Sequence, residues 1–411
     1  MTDTTAALGA AEPVTPEFPL ARKCPYQMPP GYEGLRERGP LSNVSLWDGR
    51  RAWLVTGNAE GRELFPDPRL SSDVLNPAFP LLAPRIAAQR EQQMAPPLVG
   101  VDDPVHARQR KMVIPGFGSR RVNALRSEIQ RIADGLIDNM LSAGDSADLL
   151  SSYALPLPSA VVCALLGVPY EERSYFEERS RHVLSSAGPD QAELAERSFT
   201  EILRYLHDLI GRKENEPGEG LLDDLTAQQL AEGTVNRDEL AMIAALLLVS
   251  GHETTSNMIA LSTMALLDHP DQLAVLRADP SLWPGAVDEL MRFTSIGDTL
   301  VRLAIEDIEI AGQVIEAGDA VVLSTMLMNR DPSSWEKPDE LDIRRAAGRH
   351  VAFGYGIHQC IGQNLARAEM EIALSTLFAR MPRIRLAVPA ERIPVNAAYV
   401  LQGVSELPVT W

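Results

Sequence analysis

The sequence predicts a mostly helical protein with small β-sheets (an α+β fold), and three observations lead there. Helical periodicity dominates from Asp102 to Ile210. A longer helical pattern runs from Asn236 to about Asp268. Strand-like segments are short and lie outside these stretches. No internal repeat and no linker interrupts the chain, so residues 21–411 read as one domain behind an N-terminal arm of residues 1–20.

The elements follow in order. Met1 to Leu20 has no basic start and no apolar centre, which excludes a signal peptide and predicts a flexible, solvated arm. Val44–Trp47 and Ala52–Val55 flank Asp48-Gly49, a hairpin signal. From Asp73 to Gly100 the chain is rich in proline and lacks periodicity, as functional loops often do. The helical region that follows is broken at Gly144-Asp145, Pro156, Pro169 and Ala187–Asp190. Asn236 with Glu239 predicts a capping box for the longest helix, which ends at His269-Pro270 and spans roughly 45–50 Å at 1.5 Å per residue. Asp288–Phe293 reads as helix, Ala304–Ile310 and Ala320–Leu323 as strands, and Asp339–His350 as irregular.

Composition narrows the function. An apolar fraction of 45% suffices for a large core, and a net charge of -18 disfavours nucleic acid and anionic membranes as partners. The longest apolar run, Leu240 to Val249, is about half of what spans a bilayer, so a cytoplasmic protein without membrane contact, and a monomer, is expected. The three cysteines show neither CxxC nor zinc spacing.

One cysteine stands apart. Phe353-Gly354-Tyr355-Gly356-Ile357-His358-Gln359-Cys360-Ile361-Gly362 sets a glycine-bearing turn before a helical pattern that runs to about Met381. A cysteine at a helix N-terminus faces N–H groups and the positive end of the dipole, which favours thiolate. A thiolate in such a loop suits haem iron and favours O–O cleavage. Cys24 and Cys163 read as ordinary structural cysteines. The spacing Phe-Gly-x-Gly-x-His-x-Cys-x-Gly resembles the haem-binding signature of cytochrome P450 monooxygenases, and the resemblance covers the chain from about Lys23 to Trp411. It implies that family's fold, with haem between a long distal helix and the cysteine-bearing proximal loop, and Cys360 as the iron's axial ligand.

Inside the longest helix, Ser250-Gly251-His252-Glu253-Thr254-Thr255 is locally unfavourable for helix, and such inconsistency often marks function. A kink with threonines bonded to the preceding turn is the other reading. The pattern resembles the family's oxygen-activating motif. It implies Gly251 beside the cofactor, Thr254 holding water or dioxygen, and Glu253 relaying protons. Ser250 departs from the more usual alanine, either bonding the Leu246 carbonyl or adding a hydroxyl to the pocket.

Further residues follow from the resemblance. His106, Arg110, Arg302 and His358 are implied as partners of the haem propionates, although Asp103 stands where proline is more usual. Phe353 and Gly362 would pack against the haem and its ligand. Glu289 and Arg292 match a structural Glu-x-x-Arg element tied to the loop near Asp339–Arg345. The pocket is expected at Val74, Leu98, Leu184, Leu246, Val249 and Val400. Arg344-Arg345-Ala346-Ala347-Gly348-Arg349, with Lys111 and Arg367, is a basic run in an acidic chain and predicts a docking patch for an acidic redox protein.

The implied activity is insertion of one atom of O2 into a C–H or C=C bond of a bulky hydrophobic molecule. The cofactor is haem b, and electrons come from NAD(P)H through ferredoxin reductase and ferredoxin. Cys24-Pro25-Tyr26 and Glu406–Trp411 resemble an actinobacterial subfamily that oxidises polyketides, steroid-like molecules and xenobiotics. A peroxide-driven haem-thiolate enzyme and a haem sensor or carrier are the alternatives; neither needs an acid–threonine relay.

Overall fold

The computed structural model describes residues 15–20, 22, 24, 26–81, 95–184, 189–395 and 401–411, without the side chains at 170, 181, 184 and 189–192. Helices build most of it. Pro156–Leu166, Pro189–Lys213, Trp283–Thr294 and Gln363–Arg380 pack on the long helix Arg237–Asp268, and Ser119–Ala143 packs on Pro156–Leu166 and Gln363–Arg380. No helix among the described residues is long and apolar enough to cross a membrane.

The long helix is apolar on all sides, as a helix packed on all sides must be. Between Leu240 and Leu266 only Met242, Leu246, Ser250, Gly251 and Thr254 escape full burial. Met242, Leu246, Ser250 and Thr254 succeed one another by one helical turn and form a single stripe. Asn236 caps the helix by accepting from Glu239 N at 2.8 Å. The box is only half made, because the Glu239 carboxylate turns away to Arg108 and Gln109. Those residues belong to the helix Val105–Val113, so this cap also ties the two helices together.

A five-stranded sheet joins the ends of the chain in the order Leu41–Ser45, Arg51–Val55, Ala320–Ser324, Thr299–Ala304, Leu70–Ser71. The first pair is the expected hairpin, with Ser45 opposite Arg51 and Gly49 at φ +80°. Arg51–Val55 then pairs in parallel with Ala320–Ser324, Ala52 lying opposite Ala320.

Two expectations change. The arm is docked by Pro16: Phe18 N donates to Ser45 O at 3.0 Å, Ser45 N to Pro16 O at 2.8 Å, and Phe18 stacks on Tyr32. Phe18 is buried, which gives this segment an anchor that its polar flanks conceal. The single strand expected over Ala304–Ile310 is the end of one strand plus a separate hairpin, Ile308–Ile310 with Gln313–Ile315. Ala311 (φ +47°) and Gly312 (φ +73°) make its two-residue turn, and alanine there gives no hairpin signal.

Candidate active site

The cysteine loop is built from the glycines outward. Gly354 and Gly356 sit at φ +67° and +76°, and a Cβ on Gly356 would meet Pro66 backbone at 3.0 Å. Cys360 N donates to Phe353 O at 2.9 Å, closing the loop ahead of Gln363–Arg380. Cys360 lies deep among protein atoms, yet its side chain is exposed, so it faces an internal void. Burial raises its thiol above the usual value, against the N–H groups of Gly362 and Gln363 and the Arg110 and Arg367 cations. The expected balance is therefore corrected: in the polypeptide alone desolvation outweighs the helix N-terminus, and metal coordination would be what holds the thiolate.

Carboxylates from the helix Trp283–Thr294 fix the loop from behind. Asp288 accepts from Arg367 Nε at 2.7 Å and contacts His350 Nε2 at 3.3 Å, while the Arg367 guanidinium lies 4.6 Å over the Phe353 ring. Burial alone would raise Asp288, but the bonds from His350 and Arg367 hold it below the usual carboxylate range. One turn on, Arg292 donates to Glu289 through Nε (2.6 Å) and Nη2 (2.9 Å), and both side chains are fully buried. Arg292 also reaches the carbonyls of Asn329, Pro338 and Glu340. This is the link expected between that helix and the loop before the cysteine.

Two expected patch residues are not free. Arg345 donates to Glu289 Oε1 at 3.1 Å and to the carbonyls of Glu336, Lys337 and Glu340, so it belongs to the buried carboxylate network. Arg367 is spent on Asp288 and Phe353. Lys111, Arg344 and Arg349 are exposed.

On the long helix, Thr254 Oγ1 donates to Ser250 O at 2.7 Å and Ser250 Oγ donates to Leu246 O at 2.6 Å. Both hydroxyls spend their protons on backbone and keep lone pairs free for the void. Of the serine's two alternatives, the bond to the Leu246 carbonyl is the one formed. Glu253 and His252 are buried, with Glu253 Oε1 3.3 Å from His252 Nε2. Gly251 is half-buried. A Cβ there would meet Val162 Cγ2 at 2.9 Å, so this glycine permits close approach of the helix Pro156–Leu166. Val249 is buried in the main core.

A third group gathers basic side chains. His106 and His358 stack with centroids 4.1 Å apart. Arg302 is buried, and its one hydrogen bond among those described goes to Val301 O at 2.7 Å; burial lowers it to about 10. His106 Nε2 is buried without a hydrogen-bond partner among the described residues. Arg110 Nη2 donates to Gln359 O at 2.7 Å. His358 differs from expectation: Nδ1 pairs with Leu98 O (3.0 Å) and Nε2 with Ser72 Oγ (3.1 Å), leaving it no spare donor. Burial, then the Arg302 and His106 charges, lower it to about 4.

The donor set fits haem. An exposed sulfur lies among protein atoms, buried Arg302 has one hydrogen bond among those described, and His106 Nε2 has none, so both could donate to propionates. Of the expected pocket residues, Val74 is half-buried against Phe79 and Val301, and Leu98 is buried at φ +65° with its N–H on Gln109. Leu246 belongs to the stripe, whereas the Leu184 side chain and Val400 lie outside the described residues.

The family model for cytochrome P450 matches residues 281–381, the segment with both the Glu289–Arg292 pair and Cys360. The chain is 55% identical to pentalenic acid synthase of Streptomyces avermitilis over 96% of its own length and 97% of that protein's. The chain is a cytochrome P450. It is 46% identical to vitamin D3 dihydroxylase of Streptomyces griseolus, with both chains covered completely. Among solved structures, mycinamicin VIII C21 methyl hydroxylase from Micromonospora griseorubida, bound to mycinamicin VIII, superposes with a TM-score of 0.90 at 38% identity, covering 97% of this chain and 100% of that one. This P450 is thus an oxidoreductase of the monooxygenase class with the family's haem-thiolate cofactor.

Sequence reasoning missed the partners of its own candidates: Asp103 on His106, Ser72 on His358, Asp288 behind Phe353, and Arg345 on Glu289. Only Asp103 left a signal, as the residue out of pattern.

Proposed function

We propose that this P450 inserts one atom of O2 into a C–H or C=C bond of a bulky hydrophobic molecule such as a polyketide, terpenoid or steroid-like compound. Cys360 would hold the iron of haem b, and electrons would come from NAD(P)H through ferredoxin reductase and ferredoxin. Two observations carry the reading: an exposed Cys360 sulfur set deep among protein atoms, and a partly exposed stripe of two hydroxyls on an otherwise buried helix. Haem supplies the dioxygen activation that no side chain offers.

The chain's own work is positioning and proton delivery. Two electrons and two protons must arrive for each O2, one oxygen atom entering the substrate and the other leaving as water. Thr254, its proton tied to Ser250 O, accepts a hydrogen bond from a water and so orders it in the void. Glu253, one residue earlier and buried beside His252, passes protons toward that water. His106, Arg110 and Arg302 would pair the propionates. Leu246 supplies apolar surface at the same void, and relatives named for pentalenic acid, vitamin D3 and mycinamicin support a large hydrophobic substrate.

Lys111, Arg344 and Arg349 remain as the docking patch for an acidic ferredoxin. A groove of about 390 Å³ is lined by Asn123, Arg126, Asp288, Asn364, Arg367 and Glu371. The decisive experiment is the reduced, carbon monoxide-treated spectrum. The wild-type chain and Cys24→Ser should show the long-wavelength band of thiolate ligation, and Cys360→His should lose it. Loss in the Cys24 variant alone would reassign the ligand.

A further inference from the structure

We propose that Asp103 is a positioning residue for His106: it binds the ring's Nδ1–H and makes an imidazolium the form that can pair a haem carboxylate through Nε2. The inference rests on the haem reading above and adds a residue that departs from the family pattern.

The geometry is specific. His106 is 2% exposed, stacked on His358, with Nδ1 3.0 Å from Asp103 Oδ1. The same carboxylate oxygen accepts from Ala107 N at 2.9 Å, so it is fixed at the start of the helix Val105–Val113, where an anion is favoured. The only uncommitted atom of the ring is Nε2, buried and without a partner among the described residues.

A carboxylate can only accept, so the proton on Nδ1 is assigned by Asp103. In a neutral ring Nε2 would then be a bare lone pair, which repels a second carboxylate. Only the imidazolium donates from both nitrogens and bridges Asp103 to a propionate. Proline at this position would leave Nδ1 without that acceptor.

The surroundings put the charge on this ring rather than its neighbour. His358 has both nitrogens engaged, by Leu98 O and Ser72 Oγ, and stands beside Arg302 and Asp102. The Asp103 carboxylate is the group in direct contact with His106 that favours charge on it. Asp103 therefore couples cofactor retention to the protonation of one buried histidine.

The test is haem loss from the holoenzyme to excess apomyoglobin, followed in the Soret region from pH 6 to 9. Asp103→Asn keeps an oxygen for Ala107 N and loses the charge. It should release haem about fivefold faster near pH 8, with a smaller effect near pH 6. Asp103→Ala, which also loses the cap, should add a component equal at every pH. In a His106→Ala background, Asp103→Asn should change nothing. A wild-type rate for Asp103→Asn across the range, or the same acceleration in the His106→Ala background, would overturn the assignment. A chain that takes up no haem would instead overturn the proposed function, and this inference with it.

Discussion

Arg345 Nε donates to Glu289 Oε1 at 3.1 Å, across 56 residues of sequence, while its neighbour Arg344 is exposed. Two adjacent arginines thus have different physical roles. One neutralises a buried carboxylate already shared with Arg292, and the other is available to a partner.

Arg345→Ala should therefore act on stability. It removes a charged hydrogen bond from a buried carboxylate and the donor to the Glu336 carbonyl, at a cost of about 2–3 kcal/mol. Thermal unfolding should show the loss, and the carbon monoxide band should shift toward the position of a displaced thiolate. Unchanged melting would mean that Arg292 and the Asp342 N–H satisfy Glu289 without Arg345.

Reversal of Lys111, Arg344 and Arg349 to glutamate should leave the Soret spectrum intact and raise the ferredoxin concentration needed for half-maximal turnover. Added salt should produce the same trend in the wild type, because the Debye length contracts to about 3 Å at 1 M. Substrate affinity should hardly move. Wild-type ferredoxin dependence in the triple variant would place docking elsewhere.

Thr254→Ala should bind substrate and consume NADPH while diverting oxygen to peroxide, because the water it would hold loses its acceptor. Glu253→Gln should chiefly slow turnover, by about tenfold to a hundredfold, the range expected of a general acid–base group. The product-to-NADPH ratio separates the two. A ratio unchanged in Thr254→Ala would remove the threonine from proton handling.

Gly251→Ala should destabilise by about 1–2 kcal/mol, since its Cβ would sit 2.9 Å from Val162 Cγ2. Val162→Ala, neutral-to-costly alone, should recover part of that loss in the double variant. Denaturant titration of the four proteins measures the coupling. Purely additive losses would show that the helices do not meet there.

What the sequence made legible was local. The cysteine turn, the Asn236 cap and the Asp48-Gly49 hairpin each lie within a few residues, and spacing alone carries them. Direction around a helix was harder. Gly251 and Thr254 lie three residues apart, yet only Gly251 has the position of its missing side chain filled by Val162, while Thr254 belongs to the partly exposed stripe. Pairings across the chain left no local trace: Arg345 with Glu289, Ser72 with His358, and Phe18 with Tyr32 arise only when distant segments meet. Departures from the family pattern, at Asp103 and Ser250, were visible as oddities whose meaning needed coordinates.

The parallel pairing of Arg51–Val55 with Ala320–Ser324 has a consequence during synthesis. The first strand leaves the ribosome with only Leu41–Ser45 to pair with. Its other edge, carrying Ala52, Leu54 and Val55, waits for a partner some 265 residues downstream, roughly ten seconds to a minute at ordinary elongation rates. Throughout that interval an apolar strand edge is open to other nascent chains. Aggregation of this P450 during overexpression should therefore respond to slower growth or added chaperone, and to a charge placed at the exposed Arg51 end, more than to the supply of haem.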